Sequence, residues 1–205
     1  MKNSALVLLF LLITATAVNA RDTGWLNPTE TRSEAQLPNT AGWTDPENAF
    51  LSDNLYISCP PLVGCGQSYN KFNANIPSNA YIRGIEVRAE APVVSVFYPV
   101  QFWFALSSDG ITWTIPEKSI RIAISINDPS SDYNGTGGSA ADLWGRTWTV
   151  NDINNLRVRV TGGYSSLDNI QVRVWYGLPG DPNPNTVQLL TPSGKRVKGA
   201  SCEMQ

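Results

Sequence analysis

Four short segments of the chain alternate strictly between apolar and polar residues. They are residues 82–90, 120–126, 156–161 and 170–176. A period of two residues is typical of β-strands that bury one face and expose the other. The side chains that these patterns place in the core are Ile85, Val87, Ile122, Ile124, Val158, Val172 and Val174.

The residues between these segments favour turns rather than helices. Gly, Pro, Asn and Asp separate the strands, and only residues 152–155 have the pattern of a single helical turn. Residues 93–106 are apolar nearly throughout, which predicts either a central pair of strands or one long bent strand. The sequence therefore predicts an all-β fold, an antiparallel β-sandwich, and the uneven connections favour a jelly roll.

The first 20 residues have the pattern of a secretory signal peptide. Lys2 gives a positive start, residues 5–13 are apolar, and small or modest residues precede Arg21. The apolar run is too short to span a bilayer, and no later segment is apolar enough to do so. We expect cleavage before Arg21 and a secreted protein, extracellular or at the cell surface, with no membrane span in the mature chain.

Composition divides the remaining chain into three parts. Residues 21–42 are polar, with two prolines, and are predicted to run extended over the surface. Residues 43–176 form the predicted β-sandwich domain. Residues 177–205 begin with a Pro-rich linker and continue as a C-terminal tail, in which 186–190 has strand character.

The absence of His excludes several classes of site. The sequence contains none, which removes His-ligated zinc and the Ser-His and Cys-His pairs of nucleophilic enzymes. The net charge is −2, so the chain offers no broad positive field for phosphate groups. We expect no nucleic acid partner.

The cysteines predict one disulfide bond. Export implies an oxidising compartment, and Cys59 and Cys65 are close in the sequence, so we expect a bridge that closes this small loop. Cys202 is then left over. It either stays free, pairs between chains, or replaces one partner in the first bridge.

One group of residues is a candidate ligand site. Trp144 and Trp148 are four residues apart, so on a strand they share a face, with Arg146 between them. An Arg flanked by two Trp can stack by cation–π interactions. The group forms either a packed corner between the sheets or a platform for a sugar.

Three carboxylates, those of Asp45, Glu47 and Asp53, lie close in the sequence. Asp45 precedes Pro46 and favours a structural turn, because Asp accepts hydrogen bonds from backbone N–H groups two residues on. If the carboxylates converge instead, their repulsion requires a cation, and calcium is the natural one for oxygen ligands. Calcium is the one cofactor that the sequence suggests.

Two local resemblances accompany these patterns. Residues 47–54 resemble a loop of discoidin-type sugar-binding jelly rolls, in which carboxylate and backbone oxygens hold a structural calcium. Residues 107–113, Ser-Ser-Asp-Gly-Ile-Thr-Trp, resemble the Asp-box hairpin of sialidases and other β-proteins, with one residue fewer between Asp and Gly. That element is structural in the resembling families, and Asp-Gly between apolar runs independently predicts a tight hairpin turn.

The stretch that contains residues 47–54 is flanked by two aromatic residues. We expect these residues, Trp43 and Tyr56, to anchor it in the sandwich.

A wider resemblance covers roughly residues 43–176. The segments that carry it are 43–49, 76–87, 143–149 and 170–176. In this order they resemble a β-sandwich module that recurs in exported bacterial surface proteins and in phage structural proteins. The resemblance implies a fold and a location rather than an activity.

Three functions remain open at this point. The first is a non-catalytic surface or assembly protein, structural or adhesive, that binds itself or a cell-surface glycan. The second is a carbohydrate-binding module with a structural calcium, which predicts a row of exposed aromatic residues on one face. The third is a glycoside-active enzyme, which needs two carboxylates flanking a cleft. No pattern pairs two carboxylates in this way, so we assign no catalytic residues and expect no enzyme.

Overall fold

The computed structural model describes residues 21–34, 40–59, 64–92, 100–122, 133–163, 166–181, 186–190 and 196–203. In chain order its strands are β1 (Arg21–Asp22), β2 (Glu30–Ser33), β3 (Thr40–Ala41), β4 (Ile57–Ser58), β5 (Gly64–Asn70), β6 (Tyr81–Ala91), β7 (Val100–Ser107), β8 (Lys118–Ile122), β9 (Tyr133–Gly138), β10 (Arg157–Gly163), β11 (Ser166–Leu167), β12 (Asn169–Gly177), β13 (Thr186–Leu190) and β14 (Arg196–Glu203). A 3-10 helix spans Pro46–Phe50, and an α-helix, α1, spans Val150–Asn154. The predicted signal peptide and Ile124 lie outside the described residues.

The long strands form two antiparallel sheets, which confirms the predicted all-β sandwich. The first sheet has the order β1-β12-β6-β9, and the second has the order β2-β5-β10-β7-β8, with β3 parallel to part of β5. Most successive long strands lie in opposite sheets, and β7 and β8 form a hairpin within the second. This crossing pattern supports the jelly-roll expectation, which stays a prediction.

The inner faces of the two sheets meet in one hydrophobic core. Every predicted core residue within the described part of the chain is fully buried, namely Ile85, Val87, Ile122, Val158, Val172 and Val174. Phe102 and Phe104 of β7 pack edge to face between the sheets, with ring centroids 6.3 Å apart. Burying one such side chain stabilises the fold by roughly 1.5–3 kcal/mol, so these inward-facing residues contribute directly to the stability of the sandwich.

The outer face of the first sheet carries a stack of Trp and Arg side chains. The guanidinium groups of Arg88 and Arg173 both lie against the ring of Trp25, 4.6 and 4.5 Å from its centroid. Arg173 also lies 4.9 Å from the ring of Trp175. Glu86 accepts hydrogen bonds from Arg173 Nε at 2.6 Å and from Trp175 Nε1 at 2.8 Å. We call these five residues the Trp25 stack.

The N-terminal segment is part of the sandwich, so the predicted boundary at residue 43 is too late. The segment is extended, as predicted, but it supplies β1 to the first sheet and β2 to the second. Between them, Leu26 bridges to Val172, with its N–H 2.8 Å from the Val172 carbonyl oxygen. Short polar strands such as these show no alternation, because their partners rather than their own patterns place them in the sheet.

The predicted disulfide is present. The sulfur atoms of Cys59 and Cys65 lie 2.12 Å apart, and the Cα atoms are 5.7 Å apart. The bridge ties the chain after β4 to the start of β5. Cys202 lies on β14 opposite Val187 of β13, and within the described residues these two strands pair only with each other.

Candidate functional site

An open cleft of about 470 Å³ lies at the end of the β7–β8 hairpin. The loop between β7 and β8 forms one side, and the chain between β9 and α1 forms the other. The residues that line the cleft are Ser108, Asp109, Thr112, Trp113, Thr114, Ile115, Trp144, Gly145 and Arg146. Aromatic rings, hydroxyl groups and one charge of each sign therefore face a common space.

Hydrogen bonds to Asp109 shape the hairpin side of the cleft. Its Oδ1 accepts from the backbone N–H groups of Ile111 and Thr112 at 2.8 and 2.7 Å, and from Ser107 Oγ at 2.8 Å. Ser107 Oγ in turn accepts from the N–H of Gly110, whose φ is +73°. The N–H groups of Ile111 and Thr112, together with the Ser107 hydroxyl, hold the pKa of Asp109 well below its ordinary value.

The predicted hairpin is confirmed, but its turn is not tight. Strand pairing between β7 and β8 ends at Phe104 and Lys118. The Thr114 N–H then donates to the Leu106 carbonyl at 2.9 Å, and Thr114 Oγ1 accepts from the Leu106 N–H at 2.9 Å. The loop is wide because Asp109, rather than cross-strand carbonyl groups, satisfies the N–H groups at its tip.

Trp113 is held in a defined orientation beside the cleft. It is half-buried, and the guanidinium of Arg159 lies 4.5 Å from its ring centroid. Arg159 Nη2 is fixed in turn by Glu117, whose Oε1 accepts its hydrogen bond at 2.6 Å. The ring is thus positioned by a charged neighbour on the outer face of the second sheet rather than by burial in the core.

The predicted platform of Trp144, Arg146 and Trp148 does not form. The chain there runs through turns rather than a strand, with φ of 56° at Trp144 and 76° at Gly145. Both indole rings are buried, and their Nε1 atoms donate at 2.9 Å to the carbonyl oxygens of Ile85 and Leu143. These two tryptophans are therefore a packed corner between the sheets, which was the other interpretation of the pattern.

Arg146 keeps part of its predicted role. Its guanidinium lies 4.4 Å from the ring centroid of Trp148, which is the expected cation–π contact with one of the two rings. Its other contacts are long, at 3.3 Å to the Thr147 carbonyl, 3.5 Å to Ser108 Oγ and 3.8 Å to Asp152. Arg146 consequently presents a positive charge to the cleft while its aliphatic and planar parts are supported by Trp148.

The carboxylates of Asp45, Glu47 and Asp53 belong to a local turn. Asp45 precedes the 3-10 helix with φ of 50° and makes no capping hydrogen bond with its side chain, so that part of the prediction is wrong. Asp53 takes the expected acceptor role instead, since its Oδ1 accepts from the Leu55 N–H at 3.0 Å. Among the described residues no group of three or more His, Cys, Asp or Glu side chains is arranged to hold a metal ion. The geometry therefore favours the turn, and calcium binding stays an untested prediction.

The same region presents an apolar loop that the sequence pattern did not reveal. Trp43 is buried, as predicted, but Tyr56 is 37% exposed and does not anchor the stretch. All six residues from 51 to 56 are exposed, and Leu51 and Leu55 are 56% and 55% exposed. We call this segment the 51–56 loop.

The 51–56 loop is firmly anchored at both ends. Ala49 and Ile57 on either side of it are fully buried. Asn48 Nδ2 donates to the Tyr56 carbonyl at 3.3 Å and closes the loop across its base. The apolar side chains are thus presented on a fixed scaffold, in which the Cys59 disulfide follows two residues after Ile57.

Exposed aromatic residues do not form a row within the described part of the chain. The large apolar side chains exposed there are Leu51, Leu55, Tyr56, Trp103, Ile111 and Ile115. The two aromatic ones, Tyr56 and Trp103, lie on different elements. Sequence reasoning also missed Trp113 as a cleft residue, although a Trp three residues after an Asp-Gly turn places an aromatic ring beside a carboxylate.

The chain matches no protein-family model, and no curated protein or solved structure is similar to it. Within the described residues, none of the helices has both the length and the apolar character to cross a membrane.

Proposed function

We propose that this chain is a secreted, non-catalytic surface or assembly protein that makes its contacts through the 51–56 loop. The observation that carries the proposal is the exposure of Leu51, Leu55 and Tyr56 on one anchored loop. Exposed apolar patches on small domains mark interaction sites, because burying them on a partner removes apolar surface from water. The disulfide between Cys59 and Cys65 supports an oxidising, extracellular location.

The size of the patch supports a contact of moderate strength. Complete burial of one Leu contributes roughly 1.5–3 kcal/mol, and Leu51 and Leu55 each have about half of their surface left to bury. Together with Tyr56, the loop would contribute about 2–4 kcal/mol to an interface. That is a factor of roughly thirty to a thousand in affinity, which suits a repeated contact in a surface layer or fibre.

Removing the apolar side chains of the loop tests the proposal. The double variant Leu51→Ser/Leu55→Ser should lose concentration-dependent self-association in sedimentation velocity, or lose adhesion to cells of the source organism. Its matched control is Ile111→Ser, which removes an apolar side chain of similar size and even greater exposure, 83%, from another loop and outside the cleft lining. Equal association and adhesion in the wild type and the Leu51/Leu55 variant would refute the proposal.

Carbohydrate binding is a second candidate, and the cleft is the observation that favours it. Trp113 is half-buried beside Asp109, Thr112 and Arg146, so an aromatic ring and several hydrogen-bonding groups share one concave surface. Small-molecule sites have this composition, with apolar walls and a few placed polar groups. In this site the sugar would contact Trp113 rather than Trp144 and Trp148, whose rings are buried.

A further inference from the structure

The cleft combines an aromatic ring with an edge of polar groups, and this combination selects a class of ligand. The geometry points to an uncharged pyranose ring that lies against Trp113, with its hydroxyl groups held by Asp109, Thr112 and Arg146. This inference rests on carbohydrate binding as the candidate function, and it adds the binding site and the kind of sugar.

Trp113 supplies the apolar contact. A pyranose presents C–H groups on its two faces and hydroxyl groups around its edge, so a sugar face matches an indole ring while its edge requires polar partners. The Trp113 ring is already oriented by Arg159, which lies 4.5 Å from its centroid. A ligand would therefore meet a ring that needs no ordering on binding, which lowers the entropic cost of association.

Asp109 supplies the main acceptor at the sugar edge. Three hydrogen bonds reach its Oδ1, from Ser107, Ile111 and Thr112. The Thr112 side chain also hydrogen-bonds to this carboxylate, so a ligand hydroxyl would share or replace that contact among the roughly four acceptor sites of the two oxygens. The side chain is also fixed by these bonds, and it presents the acceptor in one position.

The charge balance of the cleft selects an uncharged ligand. Asp109 and Arg146 are its two charged lining residues, and their charges are opposite. Arg146 would attract an acidic sugar or a phosphate, but Asp109 would repel it. A cation would be attracted by Asp109 and repelled by Arg146. Hydroxyl groups both donate and accept, so they satisfy the carboxylate and the guanidinium at the same time.

The dimensions of the cleft also fit a sugar. Its volume of about 470 Å³ lies at the lower end of the range of roughly 300–1,000 Å³ found for small-molecule sites. The rim includes Ile115, which is 85% exposed. An adjoining sugar ring would bury part of this side chain, so an oligosaccharide should bind more tightly than its monosaccharide.

A panel of oligosaccharides tests the inference by NMR. The probes are neutral oligomers of glucose, galactose, mannose and N-acetylglucosamine, and acidic oligomers that contain glucuronate or sialic acid, each at millimolar concentration with the 15N-labelled mature chain. We expect at least one neutral probe to shift the indole N–H signal of Trp113 and the amide signals of residues 109–112. Trp113→Ala should weaken its binding by about tenfold.

Two further variants keep the result interpretable. Thr112→Val removes one hydroxyl at an exposed position without changing the shape of the side chain, and should weaken binding several-fold even if Trp113→Ala disturbs the loop. Trp103→Ala removes a Trp that does not line the cleft, and should leave binding unchanged.

The possible failures are distinguishable. Neutral sugar binding that survives both cleft substitutions would overturn the inferred site while leaving carbohydrate binding in place. A preference for the acidic probes would overturn the inferred ligand class. Absence of binding by every probe would overturn the candidate function together with this inference.

Discussion

Replacing Trp25 by Ala should lower the stability of the sandwich, because this residue joins the N-terminal segment to the first sheet. The indole ring is half-buried and in contact with the guanidinium groups of Arg88 and Arg173. Each cation–π contact at a partly exposed site contributes about 0.5–1 kcal/mol. The apolar area that Ala cannot cover adds about 1–2 kcal/mol, so we expect a total loss of about 2–4 kcal/mol.

Thermal unfolding followed by circular dichroism measures this loss. For a chain of this length, each kcal/mol corresponds to roughly 2–4 °C, which predicts a fall in Tm of about 5–15 °C. Trp103→Ala is the matched control. Trp103 is 41% exposed and stacks on no cation within the described residues, so its replacement removes indole burial alone.

The comparison of the two variants measures the cation–π contacts of the stack together with the deeper burial of Trp25. Trp25→Ala should unfold about 2–8 °C below Trp103→Ala, since two contacts contribute about 1–2 kcal/mol in total. A double-mutant cycle with Arg88→Met should give a coupling energy of about 0.5–1 kcal/mol. Equal melting temperatures for the two Trp variants, together with zero coupling, would refute the reasoning.

Three other outcomes are expected. The pKa of Asp109 is depressed in the folded state, so the stabilisation by its carboxylate is present above its ordinary pKa and is lost as the pH falls towards the folded value. Urea unfolding should therefore show that the stability difference between the wild type and Asp109→Asn shrinks between about pH 5 and pH 2. Millimolar calcium and EDTA should give equal Tm values, whereas a calcium-induced rise that Asp53→Ala abolishes would restore the metal site. Gly84→Ala should destabilise the fold by about 1–3 kcal/mol, because an added Cβ would lie 2.6 Å from the Ala140 carbonyl oxygen; an unchanged urea midpoint would contradict this close approach.

The strands with one buried face were predictable because their side chains must alternate. Ile85 and Val87 on β6, and Val172 and Val174 on β12, follow directly from this period of two, and all four are fully buried. The disulfide was predictable for a different reason, since only a short loop separates Cys59 from Cys65. In both cases the information lies within a few neighbouring residues.

Elements whose conformation depends on distant partners were not predictable. The strands β1 and β2 have two and four residues and are mostly polar, and they exist because β12 and β5 offer unpaired edges. Trp144 and Trp148 have the spacing of a strand face. Their burial depends on the left-handed turn at Trp144 and Gly145, and on carbonyl groups contributed by Ile85 and Leu143.

The candidate site was only partly predictable for the same reason. Arg146 was identified by its spacing from two tryptophans, and it does stack on one of them. Its neighbour across the cleft, Trp113, comes from a hairpin more than thirty residues earlier in the sequence. No pattern of neighbouring residues in the sequence predicts that the β7–β8 loop and the chain after β9 meet at one end of the sandwich.

The pairing of β1 with β12 has a consequence for how the protein folds. Arg21 lies opposite Tyr176, so the first sheet is completed by two strands from opposite ends of the domain. Contacts between such distant residues form slowly, because a long loop must close before they contribute any stability. During synthesis, β1 can pair with β12 only after nearly the whole domain has been made.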